Sequence, residues 1–277
     1  MGQHATGRAP VSPTKLQLSE AQSVSPPDEI SALLRQAWAR DLRLLAALND
    51  QEPTAELLDS LRSSSAEDWF GFKANTDVAV GARGLLDTAL DAMPNPIDAA
   101  TLNDLAVDYA AIYLLHTYRA PPTESPWLDK DQLERQEPMF ETAAWYRRFG
   151  LAAQDRQRRA DDHFVLQLQF LAHLLSTPEL DAATSALEAS RFMDQHLLLW
   201  ISDFATRVAS RCATPYYCGV VTLTDGYLNA FRDALAEHYA LPRPIKCEAV
   251  ITDSNDFLDG EIDEVAPRYI PGISPSW

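Results

Sequence analysis

The sequence predicts an all-α protein, and three observations carry that reading. Apolar residues recur at intervals of three and four across most of residues 28–239, and no segment alternates apolar and polar residues convincingly enough for a strand. Glycine, with 10 in 277 residues, is too scarce for a fold built from many turns or phosphate-cradling loops. Hydrophobic residues make up 46% of the chain, so a sizeable core can form. The length exceeds a typical domain of about 100–200 residues and fits either one large helical unit or two helical lobes joined by a hinge.

The elements follow in order. Residues 1–27 are rich in Pro, Ser, Gln and Ala, with too little clustered apolar surface to offset the entropy of ordering them, which predicts a flexible arm. In residues 28–48, Ile30, Leu33, Leu34, Ala37, Trp38, Leu42, Leu45 and Leu48 keep helical spacing after the start signal Pro27-Asp28. Thr54 is a candidate cap for a helix to Leu61, and the serines at 63–65 separate it from Trp69, Phe70 and Phe72. Helical patterns over 78–93 and 99–118 are divided by Pro94-Asn95-Pro96, and the second carries Leu105, Tyr109, Ile112 and Tyr113 on one face.

A loop over 119–130 contains PPTESPWLD at 121–129, where Trp127 is expected to be exposed. Residues 137–149 read as a helix ending at Gly150, and a charged linker over 154–159 follows. The next helix opens on Asp161-Asp162-His163. Its stripe of Phe164, Leu168, Leu171 and Leu175 is widened by Val165, Leu166, Phe170, Ala172 and Leu174, which predicts a central, mostly buried helix. Either aspartate can cap that helix, and His163 is either a structural imidazole or a polar contact offered to a ligand. Long helical patterns over 181–210 and 216–239 have Pro215 near their junction. Residues 28–242 thus make the helical domain, and 243–277 an acidic, irregular tail.

A formal charge of −17 disfavours nucleic acid and anionic membranes and favours a cationic partner, although an acidic surface also serves solubility alone. Cys212, Cys218 and Cys247 form neither a disulfide framework nor a C-x-x-C pair, as expected in a reducing cytoplasm. The N-terminal MGQHATGRAPVSPTK lacks the apolar core of a secretion signal, and there is no apolar run of about 18 residues. A cytoplasmic protein without stable membrane insertion is expected.

Several motifs in order resemble the TorD/DmsD/NarJ-like family of chaperones that assist molybdenum-cofactor enzymes. Asp108-Tyr109 with Ile112-Tyr113 is similar to the family's D-Y-x-x-L-F segment, and Pro121-Pro122 through Ser125, Trp127 and Leu128 to its P-P-x-x-S-x-W-L loop. Tyr146 with Phe149-Gly150-Leu151 resembles a Y-x-x-x-G-L helix end, and Asp162-His163 before QLQFLAHL the D-H-x-x-x-x-L-x-F-L-A signature. His196-Leu197 with Trp200 is similar to the H-L-x-x-W segment. Ala160, Pro126 and Thr123-Glu124 depart from the usual residues.

The resemblance spans roughly residues 30–239. It implies a single TorD-like helical domain, monomeric or dimeric, that binds the twin-arginine signal peptide and apo form of a molybdopterin oxidoreductase of the DMSO reductase type until its cofactor is inserted. Such a peptide needs an apolar groove and acceptors for guanidinium. Tyr109, Ile112, Tyr113, Pro122, Trp127 and Leu128 are the candidates for the groove, with Ser125 in the same loop. Asp162, assisted by His163, is the candidate acceptor.

Rival classes find less support. The Asp-rich metal sites of all-helical isoprenoid synthases need a third acid where Val165 and Leu166 stand. His163, His173 and His196 lack the Glu-x-x-His pairing of a carboxylate-bridged metal bundle, and no Walker loop, zinc cluster or nucleophile elbow occurs. The expectation is therefore a protein with no catalytic residues, no metal and no cofactor. A helical module with a different peptide guest is the main alternative.

Overall fold

The structure, a computed structural model, describes residues 27–153 and 159–244. The expected N-terminal arm, most of the 154–159 linker, the acidic tail and Cys247 lie outside the described residues. Among the described residues, ten α-helices run in the order α1 (Pro27–Asp50), α2 (Ala55–Arg62), α3 (Asp77–Asp91), α4 (Ala99–Tyr109), α5 (Ser125–Leu128), α6 (Glu137–Arg148), α7 (Phe164–Ser176), α8 (Ala182–Gln195), α9 (Ile201–Ala209) and α10 (Pro215–Tyr239). There is no named strand among the described residues. Those up to Arg243 belong to one compact unit, not two lobes.

Helix starts are set by short polar side chains that accept from free backbone N–H groups. Thr54, Thr76, Asp98 and Asp181 accept from Leu57, Ala79, Thr101, and Ala183 with Thr184. Burial then holds the helices together. α7 is the predicted central helix: it packs along α1 and against α8, while α10 packs along α3 and α9. Trp38, Leu42, Leu45, Phe164, Leu168, Leu171, Tyr227 and Phe231 are all buried, at about 1.5–3 kcal/mol for each large apolar side chain. Gly226 lets α10 approach α3, since a Cβ there would stand 3.0 Å from the Ala79 backbone nitrogen.

Two predicted helices are interrupted. The pattern over 99–118 is α-helical only to Tyr109, widens into a π-turn over Ala110–Leu114, and ends before His116, whose φ is +50°. The wider turn accompanies the inward anchoring of two tyrosines: the Tyr109 hydroxyl donates to the Asp50 carbonyl at 2.6 Å and that of Tyr113 to Asn49 Oδ1 at 2.7 Å. The pattern over 181–210 breaks after Gln195, passes through a 3₁₀ turn at Leu197–Leu199 and resumes as α9. That break falls where the buried His196 ring meets Glu124 Oε1 at 3.0 Å.

Candidate functional site

The two sequence motifs that stand out most, PPTESPWLD and ADDH, meet as a short antiparallel strap. Thr123 bridges to His163, the Glu124 N–H donates to the Asp162 carbonyl at 3.1 Å, and the Phe164 N–H donates to the Pro122 carbonyl at 3.0 Å. Asp162 is fully buried, and its Oδ2 accepts from the Ser125 N–H at 2.8 Å and hydroxyl at 2.5 Å. Its Oδ1 has no partner. Glu124, equally buried, meets Gln167 and His196. Burial raises both carboxyls above their ordinary pKa, opposed at Asp162 by the Ser125 bonds and at Glu124 by His196 and Gln167.

Because the strap draws Asp162 inward, neither aspartate caps α7 in the way expected. The cap is His163, whose Nδ1 accepts from the Val165 N–H at 3.2 Å. That bond leaves the ring proton on Nε2 of the neutral imidazole. Burial, aided by Arg159 and His116, holds the His163 pKa well below its ordinary value.

In front of the strap is a cavity of about 840 Å³ between the end of α4, the π-turn, α7 and the segment after α6. Tyr109, Tyr113, Tyr146, His163, Leu166 and Phe170 form most of its apolar wall, with Gln169, His173 and Arg159 adding polar groups. The tyrosine hydroxyls are already committed, that of Tyr146 to the Asp161 carbonyl at 2.9 Å, so the wall is rigid. Four of the five non-glycine residues with positive φ among the described residues, His116, Arg119, Gln132 and Arg135, cluster around the strap loop. Such strained backbone concentrates at ligand clamps.

The predicted residues separate into groups. Tyr109, Tyr113 and His163 line the cavity together. Ile112 is fully buried and does not line the cavity, and Pro122, Ser125 and Asp162 belong to the strap that includes His163. Trp127, expected to be exposed, is half-buried: it stacks on Trp200 at 6.1 Å, its Nε1 donates to the Pro121 carbonyl, and the Arg207 guanidinium lies 4.4 Å from its ring centre. Leu128 is exposed. Rings nevertheless connect the two sides, from Tyr109 to Tyr113 (4.8 Å), Phe164 (6.2 Å), Trp200 (6.4 Å) and Trp127.

The sequence reading missed Leu114, Tyr146, Leu166, Phe170, His173 and Arg159 as cavity residues. A signal for α7 was present, because Leu166, Gln169 and His173 follow one another by three and four on a second face of that helix.

The buried polar strap thus stands behind an aromatic hollow, and no group of three or more metal-ligating side chains occurs among the described residues. No helix of the described residues is long and apolar enough to cross a membrane. Comparison with known proteins identifies the family. Residues 73–206 match the family described as "Nitrate reductase delta subunit". The chain is 30% identical to the "Chaperone protein TorD" of Vibrio cholerae over 155 residues, 54% of this chain and 69% of that protein. It is 26% identical to that of Vibrio vulnificus over 69% of this chain and 91% of that protein, and 26% identical to that of Shewanella loihica over 72% and 93%. The protein is thus a chaperone and not an enzyme. It belongs to the TorD-like family of maturation chaperones.

Proposed function

We propose that the protein binds the twin-arginine signal peptide of a molybdopterin oxidoreductase of the DMSO reductase type, in the cytoplasm, and holds the apo-enzyme for cofactor insertion before export. The observation that carries this reading is the aromatic cavity walled by Tyr109, Tyr113 and His163 and backed by the strap of Pro122, Ser125 and Asp162. Its volume and apolar lining suit the side chains of an extended or helical apolar segment. The chain's charge of −17 favours a guest with a basic end. Trp127, linked to the cavity through Trp200 and Phe164, and the exposed Leu128 beside it offer further apolar surface, and Ile112 belongs to the buried core. Asp162 acts through Ser125, by holding the loop, rather than by touching the guest.

The test is titration of the purified protein with a synthetic peptide carrying two arginines and an apolar stretch, at low salt, followed by calorimetry. Saturable micromolar binding is expected, and Leu114→Asp, on the exposed cavity rim, should weaken it by about tenfold, as for one lost apolar anchor. Binding that is absent at these concentrations counts against the reading. Equal binding of an apolar peptide with no basic end favours a helical module with a different guest.

A further inference from the structure

Among the described residues that line the cavity there is no carboxylate, and Asp162 is sealed inside the strap. The acid stands at the cavity's edge. α1 ends at Asp50 with no basic residue in its last turn, so the negative end of its dipole is not compensated from within the helix. Glu52, exposed, follows two residues later. Burial raises the Tyr109 hydroxyl above its ordinary pKa, Arg159 opposes this, and the Asp50 and Glu52 carboxylates add to it. The same hydroxyl donates to the Asp50 carbonyl.

A guanidinium is already bound there. Arg159, which lines the cavity and is 109 residues distant in sequence, pairs with Asp50 Oδ1 while its second nitrogen is 3.5 Å from the Asp50 carbonyl. A carboxylate beside a helix-end carbonyl matches the planar donor fork of arginine better than the point charge of lysine. The side chains of Arg159 and Asp50 are 30% and 37% exposed, so the pair is open to exchange with an arginine arriving from solvent.

We propose that the C-terminal end of α1, at Asp50 with Glu52, is a guanidinium-binding site that the chain's own Arg159 occupies until an arginine of the guest displaces it. This rests on the reading that the guest carries arginines. Occupation by Arg159 lowers the affinity for any arginine and sets a threshold that only a guest also filling the aromatic cavity overcomes. Glu52, two residues on, offers a second carboxylate to a second arginine.

The test uses the full chain and an Arg-Arg dipeptide amide, which has no apolar segment and so probes this site alone. Arg159→Gln should bind the dipeptide about two- to fivefold more tightly than wild type, the gain expected from removing one exposed ion pair. Asp50→Asn should cancel that gain in the double variant, and a Lys-Lys amide should show none of it. Unchanged or weaker binding by Arg159→Gln overturns the proposal, as does tightening that survives Asp50→Asn. If the dipeptide behaves as expected and a complete twin-arginine peptide does not bind, the guanidinium site stands and the proposed function falls.

Discussion

Two buried aspartates, Asp108 and Asp162, are the same residue in nearly the same degree of burial, yet they hold different things in different ways. Asp108 uses both oxygens: Oδ1 accepts from the Tyr118 hydroxyl (2.9 Å) and the Ala213 N–H (3.1 Å), and Oδ2 from the Thr214 N–H (2.9 Å) and hydroxyl (2.6 Å). It ties the end of α4 to Ala213 and Thr214, the two residues just before α10, which are more than a hundred positions away in sequence. Asp162 uses one oxygen, on Ser125 alone, and leaves the other without a partner. A carboxylate with every lone pair committed is a scaffold fastening, whereas one with spare capacity holds a loop whose position matters more than its stability. Of the two carboxylates, Asp162 is the more weakly fastened, and it belongs to the strap that borders the cavity.

Removing the scaffold fastening should have the larger effect. Asp108→Ala leaves several inward donors without an acceptor and should cost about 3 kcal/mol in urea denaturation, while folded variant keeps its affinity for a twin-arginine peptide. If that variant folds normally but loses binding, the contrast between the two regions is broken. Asp162→Asn should cost less, about 1 kcal/mol, because only the Ser125 bonds are perturbed and the free Oδ1 position has no bond to lose. Its binding defect should be equal for a peptide with two arginines and for one with both changed to Gln, as calorimetry on the pair will show. A loss confined to the arginine peptide would mean that Asp162 meets the guest directly.

The strap also makes stability depend on pH in two opposed ways. His163 has its folded pKa depressed, so the unfolded chain binds the proton first. Stability is then fully present above the unfolded value of about 6.5 and is lost as pH falls below it, by up to about 1.4 kcal/mol per pH unit. Glu124 and Asp162 have folded values raised above the ordinary carboxylate range, so they contribute stability that is present at low pH and lost as pH rises through their folded values. Relative to wild type, His163→Asn should gain stability on acidification from pH 7 to 5, and Glu124→Gln should gain it on going from pH 4 to 7. Thermal melts across pH 4–8 check both slopes. Trp127→Ala loses a stacked pair and a cation–π contact at a half-buried site and should cost about 1–2 kcal/mol, with little change in the pH slopes.

Much of this fold is legible in the sequence because helical periodicity and capping are local. The stripe Phe164, Leu168, Leu171, Leu175 identifies α7 as central, Thr54 and Asp181 mark helix starts, and Pro94-Asn95-Pro96 and Gly150 mark ends, all from residues within a turn or two of each other. The order of motifs likewise identifies the family before any contact is known. What escapes local reading is the direction in which a polar side chain turns. Asp162 stands where a cap belongs, and only a serine 37 residues earlier draws it inward and hands the cap to His163. His196 breaks a continuous helical pattern because its partner, Glu124, is 72 residues away.

The sequence by itself determined an all-α chain, the central helix, the family and the pair of motifs that form the strap, since each depends on spacing along the backbone. Only the tertiary structure decided which face of α7 borders a cavity, that Trp127 packs behind it, and that Arg159 meets Asp50. Those outcomes depend on what is brought opposite a residue from far along the chain, and burial and charge pairing are properties of that encounter rather than of either segment alone.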